Sequence, residues 1–300
     1  MDAFFQYMIA LIETGESYVF LIPIYVVLLV GERIAHEVME EVKWDHRDSA
    51  ANIAITAAFL SVDLVVGKLL PLGLVAAIYE HARLFELGQS VTGWVAAFLL
   101  YDLAWYVDHR ISHRVGFFWA MHHVHHSSNQ YNMTVASRGF VVDKTLLSRP
   151  LFYLLPILGV APAHFIVILI VTNVWGIAQH TRLIKRLGPL DWLLATPSNH
   201  RVHHGADDKY LDKNYGEVLI IWDRLFGTYQ QEQEEPTYGV TERIETYNPL
   251  EIEVAGFKWF ARKLRRATNW RDWWLCFVMP PGWEPAQNPR VAFVDNESHR

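Results

Sequence analysis

Six histidines fall within eighteen residues in the run DHRISHRVGFFWAMHHVHHSS, from His109 to His126. Further along, NHRVHHG (Asn199 to Gly205) repeats the spacing of the second half of that run, and His180 lies between the two. A neutral imidazole nitrogen binds Zn, Cu, Fe or Ni, and two rings on one helix reach a common ion only from the same face. Spacings of three and four residues put them there. His109 and His113 are four apart; His122, His125 and His126 are offset by three and four, and His200, His203 and His204 repeat that offset. A single HxxxH at a helix end is commonly structural, but two HxxHH groups with an HxxxH beside them make coincidence a poor account. These eight positions, with His180 as a ninth at the end of an apolar helix, exceed the roughly four to six ligands that one ion takes, so two ions close together are expected.

His123 falls outside the repeated offset and is read as a residue behind the ligands or in solvent, and the isolated His36, His46, His81, His164 and His299 as ordinary surface or interface residues. No carboxylate lies within the clusters, unlike the Glu- and Asp-rich di-iron bundles. Asp108, Asp207, Asp208 and Asn199 adjoin them. Such residues commonly orient a ligand ring through its second nitrogen, and equally often cap a helix or face solvent.

The elements that must hold these rings are apolar runs alternating with charged ones. The chain of 300 residues is 52% hydrophobic and 14% aromatic, and no Gly/Ser-rich or Pro-rich linker divides it. Five stretches approach the ~20 apolar residues of a spanning helix: Ser17–Gly31, Ser49–Leu70, Val91–Val107, Leu146–Val160 and Pro162–Ala178. Pro71–Tyr79 is too short to cross and reads as a re-entrant or interfacial turn. The third run leads straight into His109. Lys and Arg are absent before Ser17 and frequent in 32–47, 109–144 and 181–186, which puts the N-terminus outside and every clustered histidine on the cytoplasmic side. The expected fold is therefore an all-α integral membrane protein, four to five transmembrane helices under a cytoplasmic helical cap that carries the dimetal site.

Residues 1–230 form the expected catalytic unit, with the histidine core at about 90–230, and 231–300 a cytoplasmic tail. Within the tail Gln230–Glu253 reads as an acidic, solvated connector. Phe257–Val278 interleaves Arg and Lys with Trp and Phe, which suits either a helix in the headgroup layer or one packed on the cytoplasmic domain. A net charge of −6, evenly spread, argues against nucleic acid as a partner. The single cysteine, Cys276, excludes a disulfide framework and a Cys-ligated iron–sulfur centre within the chain.

With HxxxH, HxxHH and a second HxxHH at these positions, the sequence resembles the fatty acid hydroxylase / sterol desaturase superfamily of membrane di-iron enzymes. The blocks QHTRLIKRLGPLDWLLATPSNHRVHHG and DKNYGEVLIIWDRLFGTY look like its alkylglycerol monooxygenase-like branch and bacterial relatives of that branch. The resemblance implies two irons held by His109, His113, His122, His125, His126, His200, His203 and His204. It implies O2 as co-substrate, a membrane lipid whose C–H bond is attacked, and an external reductant, a separate electron-donor protein or tetrahydrobiopterin. Asn132, Arg138, Asn214 and Tyr215 are candidate contacts to the lipid head or to the ligands, and Asp223 and Arg224 candidate fold locks.

Hydroxylation of a fatty acyl, sterol or alkyl-ether lipid is the first reading, and desaturation at the same site the second. A metal transporter or zinc-bound scaffold is the reading from another class. Transporters commonly place their ionisable ligands at mid-bilayer, whereas these histidines lie beyond the spans. The C-terminal NESHR carries no dilysine or KDEL-type signal, which favours a bacterial inner membrane over the endoplasmic reticulum. No oligomeric state follows from the sequence.

Overall fold

A computed structural model describes residues 18–39, 44–66, 71–141 and 149–285. Among these the chain is helical and forms no named strand; extended pairing is limited to isolated bridges of Leu194 with Leu219 and Gly205 with Tyr238. The N-terminal segment before Ser17, the first residues of the run at Leu146, and His299 lie outside the described residues.

Helices α1 (Tyr18–Val38), α2 (His46–Val66) and α4 (Val91–Arg114) carry the first three apolar runs, and α3 (Pro71–Ala82) is the short segment expected not to cross. Helix α4 does not stop where its apolar run ends. Ser90 caps its N-terminus by accepting the Gly93 N–H at 3.2 Å, and the ladder continues to Arg114, carrying His109 and His113 out on the same rod. The chain then turns at Val115 and restarts at once as α5 (Gly116–His126).

The run Leu146–Val160 departs from expectation. In its described part it is not one helix but a 3-10 turn (Pro150–Tyr153) followed by a single α-turn, α6 (Leu154–Ile157). Pro150 and Pro156 supply no N–H to a ladder, and Gly159 turns the chain at φ +92°. Helix α7 (Pro162–Gln179) follows, starting on a proline. Among the described residues it is the helix long and apolar enough to cross a membrane.

Short helices α8 (Leu190–Leu193), α9 (Pro197–His203) and α10 (Ile221–Phe226) complete the histidine region, and α11 (Pro249–Arg266) and α12 (Trp270–Val278) follow. The stretch expected as a solvated acidic connector keeps Glu234, Glu235, Glu242 and Glu245 exposed, but it is pinned at several points to the loops that carry the histidines. Glu232 forms a two-pronged pair with buried Arg201 (2.6 and 2.7 Å), Tyr238 stacks on Tyr131 at 4.7 Å, and buried Glu253 accepts the Val141 N–H at 3.1 Å. Of the basic partners that the histidine loops supply, Arg201 holds Glu232 in a buried pair, while Arg182 and Lys209 meet exposed Glu235 and Glu234. The basic–aromatic stretch is two helices rather than one, parted where Asn269 caps α12 by accepting the Asp272 N–H at 2.9 Å.

Three buried clusters surround the site. Ala97, Tyr101 and Ala104 of α4 pack with Phe152, Leu155, Val160 and Ile168; Ala51 and Ile55 of α2 with Val124 and Ile252; and Ala120 of α5 with Phe260 and Cys276. The helices meet closely where glycine permits. A Cβ on Gly256 of α11 would stand 2.1 Å from the Ala120 carbonyl oxygen, and one on Gly116 2.3 Å from that of Cys276.

Candidate metal centre

All nine sequence-predicted ligand residues come together, and they divide into two groups. His109, His113, His122, His126 and His203 form one; His125, His180, His200 and His204 form the other. Within each group the ring nitrogens lie within 4.8 Å of one another. The groups adjoin: the ring of His126 stacks on that of His204 with centroids 4.3 Å apart, and that of His203 on His200 at 5.2 Å. Each helix contributes by its spacing. His109 and His113 share a face of α4, His122 and His126 turn toward them from α5, and His125, one step round α5, faces His180 at the end of α7.

Backbone carbonyls decide how four of the rings are protonated. A carbonyl only accepts, so Nδ1 is the N–H where His109 meets Tyr215 O (2.8 Å), His125 meets Arg138 O (3.0 Å), His180 meets Gly176 O (2.7 Å) and His203 meets Lys213 O (3.0 Å). In each neutral ring Nε2 then carries a bare lone pair. These nitrogens face others of their kind: His109 Nε2 is 3.2 Å from His122 Nε2, which is 3.2 Å from His126 Nε2. His180 Nε2 is 3.1 Å from Nε2 of both His200 and His204. The Nε2 atoms of His113 and His203 are buried without a hydrogen-bond partner. A facing ring protonated on Nε2 donates to such a lone pair; one protonated on Nδ1 brings two lone pairs together, which repel unless a cation lies between them. Two nitrogens each ~2.1 Å from one ion and at right angles would be about 3.0 Å apart, so the spacing fits first-row metal ligation. The residues therefore fit two metal ions of the kind imidazole prefers.

Burial keeps the rings neutral, as ligands must be. It pushes His125 down to about 4 and His203 to about 3, and holds His109, His113, His122, His126, His180, His200 and His204 well below the usual imidazole value, with neighbouring imidazoles adding to the effect.

The loop after the second HxxHH is shaped to present those carbonyls. Asp223 of α10 accepts the Tyr215 and Gly216 N–H groups, both at 2.8 Å, and the Thr228 hydroxyl at 2.7 Å. Asp102 of α4 accepts from Val218 N, Leu219 N and the Trp222 indole. Asn214 holds a left-handed turn at φ +54°. Arg224 is sandwiched between the Trp192 and Tyr229 rings, 4.0 and 3.7 Å from their centroids.

The remaining candidates have diverse places. Arg138 is 2% exposed, and its guanidinium donates to Val124 O, Asp48, Asn52 and the Ser127 hydroxyl. Asn132 Oδ1 accepts from Thr134 within its own loop, Asn199 donates to Asp191 O and Leu194 O, and Asn214 to Asn199 O and Gln230 O. These side chains are thus engaged inside the protein. Tyr215 sets its ring 5.2 Å from that of His113. His123 is buried in neither group, beneath Gly256. Asp108 is buried beside His109, and burial raises its carboxyl to about 7 against the opposing pull of Arg149. Asp207 accepts the Thr237 N–H at 2.8 Å, and Asp208 is exposed.

Sequence reasoning missed Tyr131, whose ring stacks on His180 at 5.5 Å and whose hydroxyl donates to Gln179 O at 3.1 Å. It also missed Glu217, a buried acid against Gly176, and Trp119, which walls His113, His122 and His126. No spacing signals them.

With this geometry in hand the chain was compared with known proteins. The Fatty acid hydroxylase family model matches residues 94–228, which include every histidine of the two groups. This chain carries a fatty acid hydroxylase domain. It is 36% identical over 219 residues to alkylglycerol monooxygenase of Homo sapiens, covering 73% of this chain and 48% of that protein. It is 29% identical to the ornithine lipid hydroxylase OlsE of Rhizobium tropici (63% of this chain, 60% of that one) and 28% identical to lathosterol oxidase of Mus musculus (50% and 52%). These likenesses support the fatty acid hydroxylase / sterol desaturase superfamily and, within it, the alkylglycerol monooxygenase-like branch. The chain spans about half the length of the alkylglycerol monooxygenases it matches. No solved structure matches it.

Proposed function

We propose that the chain is an O2-dependent membrane oxidoreductase that hydroxylates an unactivated C–H bond of a lipid, using two irons. The observation that carries this reading is the pair of adjoining buried imidazole groups, in each of which backbone carbonyls turn the Nε2 lone pairs of two rings inward. His109, His113, His122, His126 and His203 would hold one iron, and His125, His180, His200 and His204 the other. Bound there, the irons would supply the activation of O2 that no side chain provides. The protein's part is to aim, hold and keep dry. Carbonyls of Tyr215, Arg138, Gly176 and Lys213 fix four rings. Trp119 and Tyr131 close the walls, and burial excludes the protons that compete for imidazole.

The histidines sit at the cytoplasmic ends of the spans, so the lipid head would rest at that interface and the chain enter from the bilayer. Five crossings remain the reading, with the fourth irregular. In its described part the Ile157 carbonyl accepts the Leu84 N–H at 2.8 Å, which ties this arm to the end of α3. Non-helical backbone is tolerated at membrane depth where protein buries it, and Phe152 packs on Tyr101 of α4. Greater likeness to alkylglycerol monooxygenase than to lathosterol oxidase favours a glycerol-based lipid, and hydroxylation over sterol-type desaturation. Reducing equivalents come from a separate donor.

Metal analysis by mass spectrometry on protein purified in detergent tests the reading. About two irons per chain are expected, falling to about one in both His125→Ala and His203→Ala, since these rings belong to different groups. Lipid extracts with and without O2 should then differ by one oxygen atom in a lipid class. Zinc that exchanges freely in place of iron would instead support the transporter or scaffold reading.

A further inference from the structure

Helix α12 presents an unusual surface for nine residues. Trp270 is 83% exposed, Trp274 57% and Trp273 46%, and Val278 is also exposed. At offsets of three, four and eight these residues share one helix face. Exposed aromatic clusters of this kind mark an interaction surface rather than ordinary scatter. The charge around them is one-sided. Arg262 and Arg266 pair with Glu242 and Glu284, but exposed Lys258, Arg265 and Arg271 have no carboxylate partner among the described residues.

The helix is also fixed close to the bilayer. The Gly116 N–H, two residues beyond the end of α4, donates to Met279 O at 3.0 Å; Phe277 stacks on Phe117 at 6.0 Å. Arg114 lies seven residues past Val107, where the apolar run of α4 ends, or roughly 10 Å along the helix axis. The headgroup layer is itself about 5–7 Å deep on each side, so a helix fastened at Gly116 has its rings within reach of it. Tryptophan partitions to that layer, and free Arg and Lys meet anionic headgroups there.

We propose that the Trp270–Trp273–Trp274 face of α12, with Lys258, Arg265 and Arg271, docks on the anionic phospholipid headgroup layer of the membrane that holds the protein. This inference rests on the membrane reading of the preceding section. Because α12 and α11 are both packed on the histidine helix α5, the docked face would fix the depth of the two metal groups relative to the lipid surface.

Depth measurement by electron paramagnetic resonance tests the proposal on the full chain. Cys276→Ser removes the native thiol and keeps a hydroxyl to donate to Lys263 O, the bond the thiol makes. A nitroxide is then attached at Trp274→Cys, with Asp208→Cys as the aqueous control, and each protein is reconstituted in nanodiscs of phosphatidylcholine with or without phosphatidylglycerol. Co-elution of protein with the discs establishes membrane insertion by itself, so failure of the membrane reading shows as protein that does not enter them. The label at 274 is expected to collide more with O2 than with an aqueous nickel chelate, and to do so most strongly in anionic discs. Arg265→Glu with Arg271→Glu should move it toward the aqueous response. Quenching of native tryptophan emission by brominated lipid should fall in Trp273→Phe/Trp274→Phe. A label at 274 that saturates like the one at 208 in inserted protein would overturn the proposal, and so would occlusion from both relaxants, which would point to a protein partner instead.

Discussion

At the scale of single residues, the rings are aimed by groups that are not themselves metal-binding. Arg138 acts twice on His125: its carbonyl accepts the ring N–H, and its guanidinium ties Val124 O and Ser127 on α5 to Asp48 and Asn52 on α2. Arg138→Met keeps the bulk but leaves Asp48 buried without its cation, which typically costs ~3–5 kcal/mol. The expected outcome is that loss in chemical denaturation, together with lower iron content because the Arg138 carbonyl that holds His125 loses its side-chain anchor; adding Asp48→Asn should restore part of the stability. Glu217 gives a pH signature. Burial raises its carboxyl from 4.5 to about 8, against Arg149 and with Asp102. A carboxyl raised on folding stabilises fully below its unfolded value. That contribution is lost as pH rises from about 4.5 through about 8, at about 1.4 kcal/mol per unit. Glu217→Gln fills the same space and does not ionise, so its melting temperature in detergent should exceed that of the wild type by a margin that grows between pH 5 and pH 8. A constant margin would contradict the assignment.

At the scale of elements, the close approach of α11 to α5 is the contact on which the rings of His122 and His126 depend. A Cβ at Gly256 would fall 2.1 Å from Ala120 O and 2.9 Å from Ala120 C, backbone that cannot move without turning α5. Gly256→Val should therefore cost ~1–3 kcal/mol as overpacking and lower occupancy of the group containing His122 and His126 more than that of the other. Iron content and thermal unfolding measured on one preparation would separate the two effects. Much of this region was legible beforehand, because offsets of three and four fix which face of a helix a ring leaves from, and nine rings that need a common centre fix how the helices meet. His180 was legible for the same reason, as the end of an apolar helix at the same level. The irregular arm from Pro150 to Gly159 was not, since apolar content reports burial without reporting the hydrogen-bond ladder that two prolines interrupt. Asn132, Asn199 and Asn214 close turns beside the histidines, a role that an amide near a ligand does not distinguish in sequence from contact with a substrate. Glu217 and Trp119 carry no periodic signal, and only the fold brings them to the site.

At the scale of the whole molecule, the boundary at residue 230 expected from composition does not correspond to a break in the structure. Charge density suggested a solvated connector after Gln230, and most of its carboxylates are exposed, but Glu232 and Glu253 tie it to buried partners. Arg201, on α9 between two ligand histidines, is held by Glu232 on one side and by Thr181 O and Ile184 O on the other. Tyr238 covers Tyr131, which covers His180. Glu253 closes the Val141 end, and α11 and α12 seat α5. Residues 231–285 thus back the elements that carry the histidine groups, although the family match ends at 228. A chain stopped after residue 230 should insert in membranes through its apolar helices yet fail to retain iron. It would leave buried Arg201 without its carboxylate and α5 with an exposed apolar face. Gel filtration in detergent should show it aggregated or broadened, with less than about one iron per chain. A chain stopped after residue 285, keeping α11 and α12, should match the full protein in both measurements. If the 230-residue chain were instead monodisperse and fully loaded, the metal centre would be self-sufficient in the first 230 residues, and the contacts of Glu232, Tyr238 and Gly256 would be secondary to it.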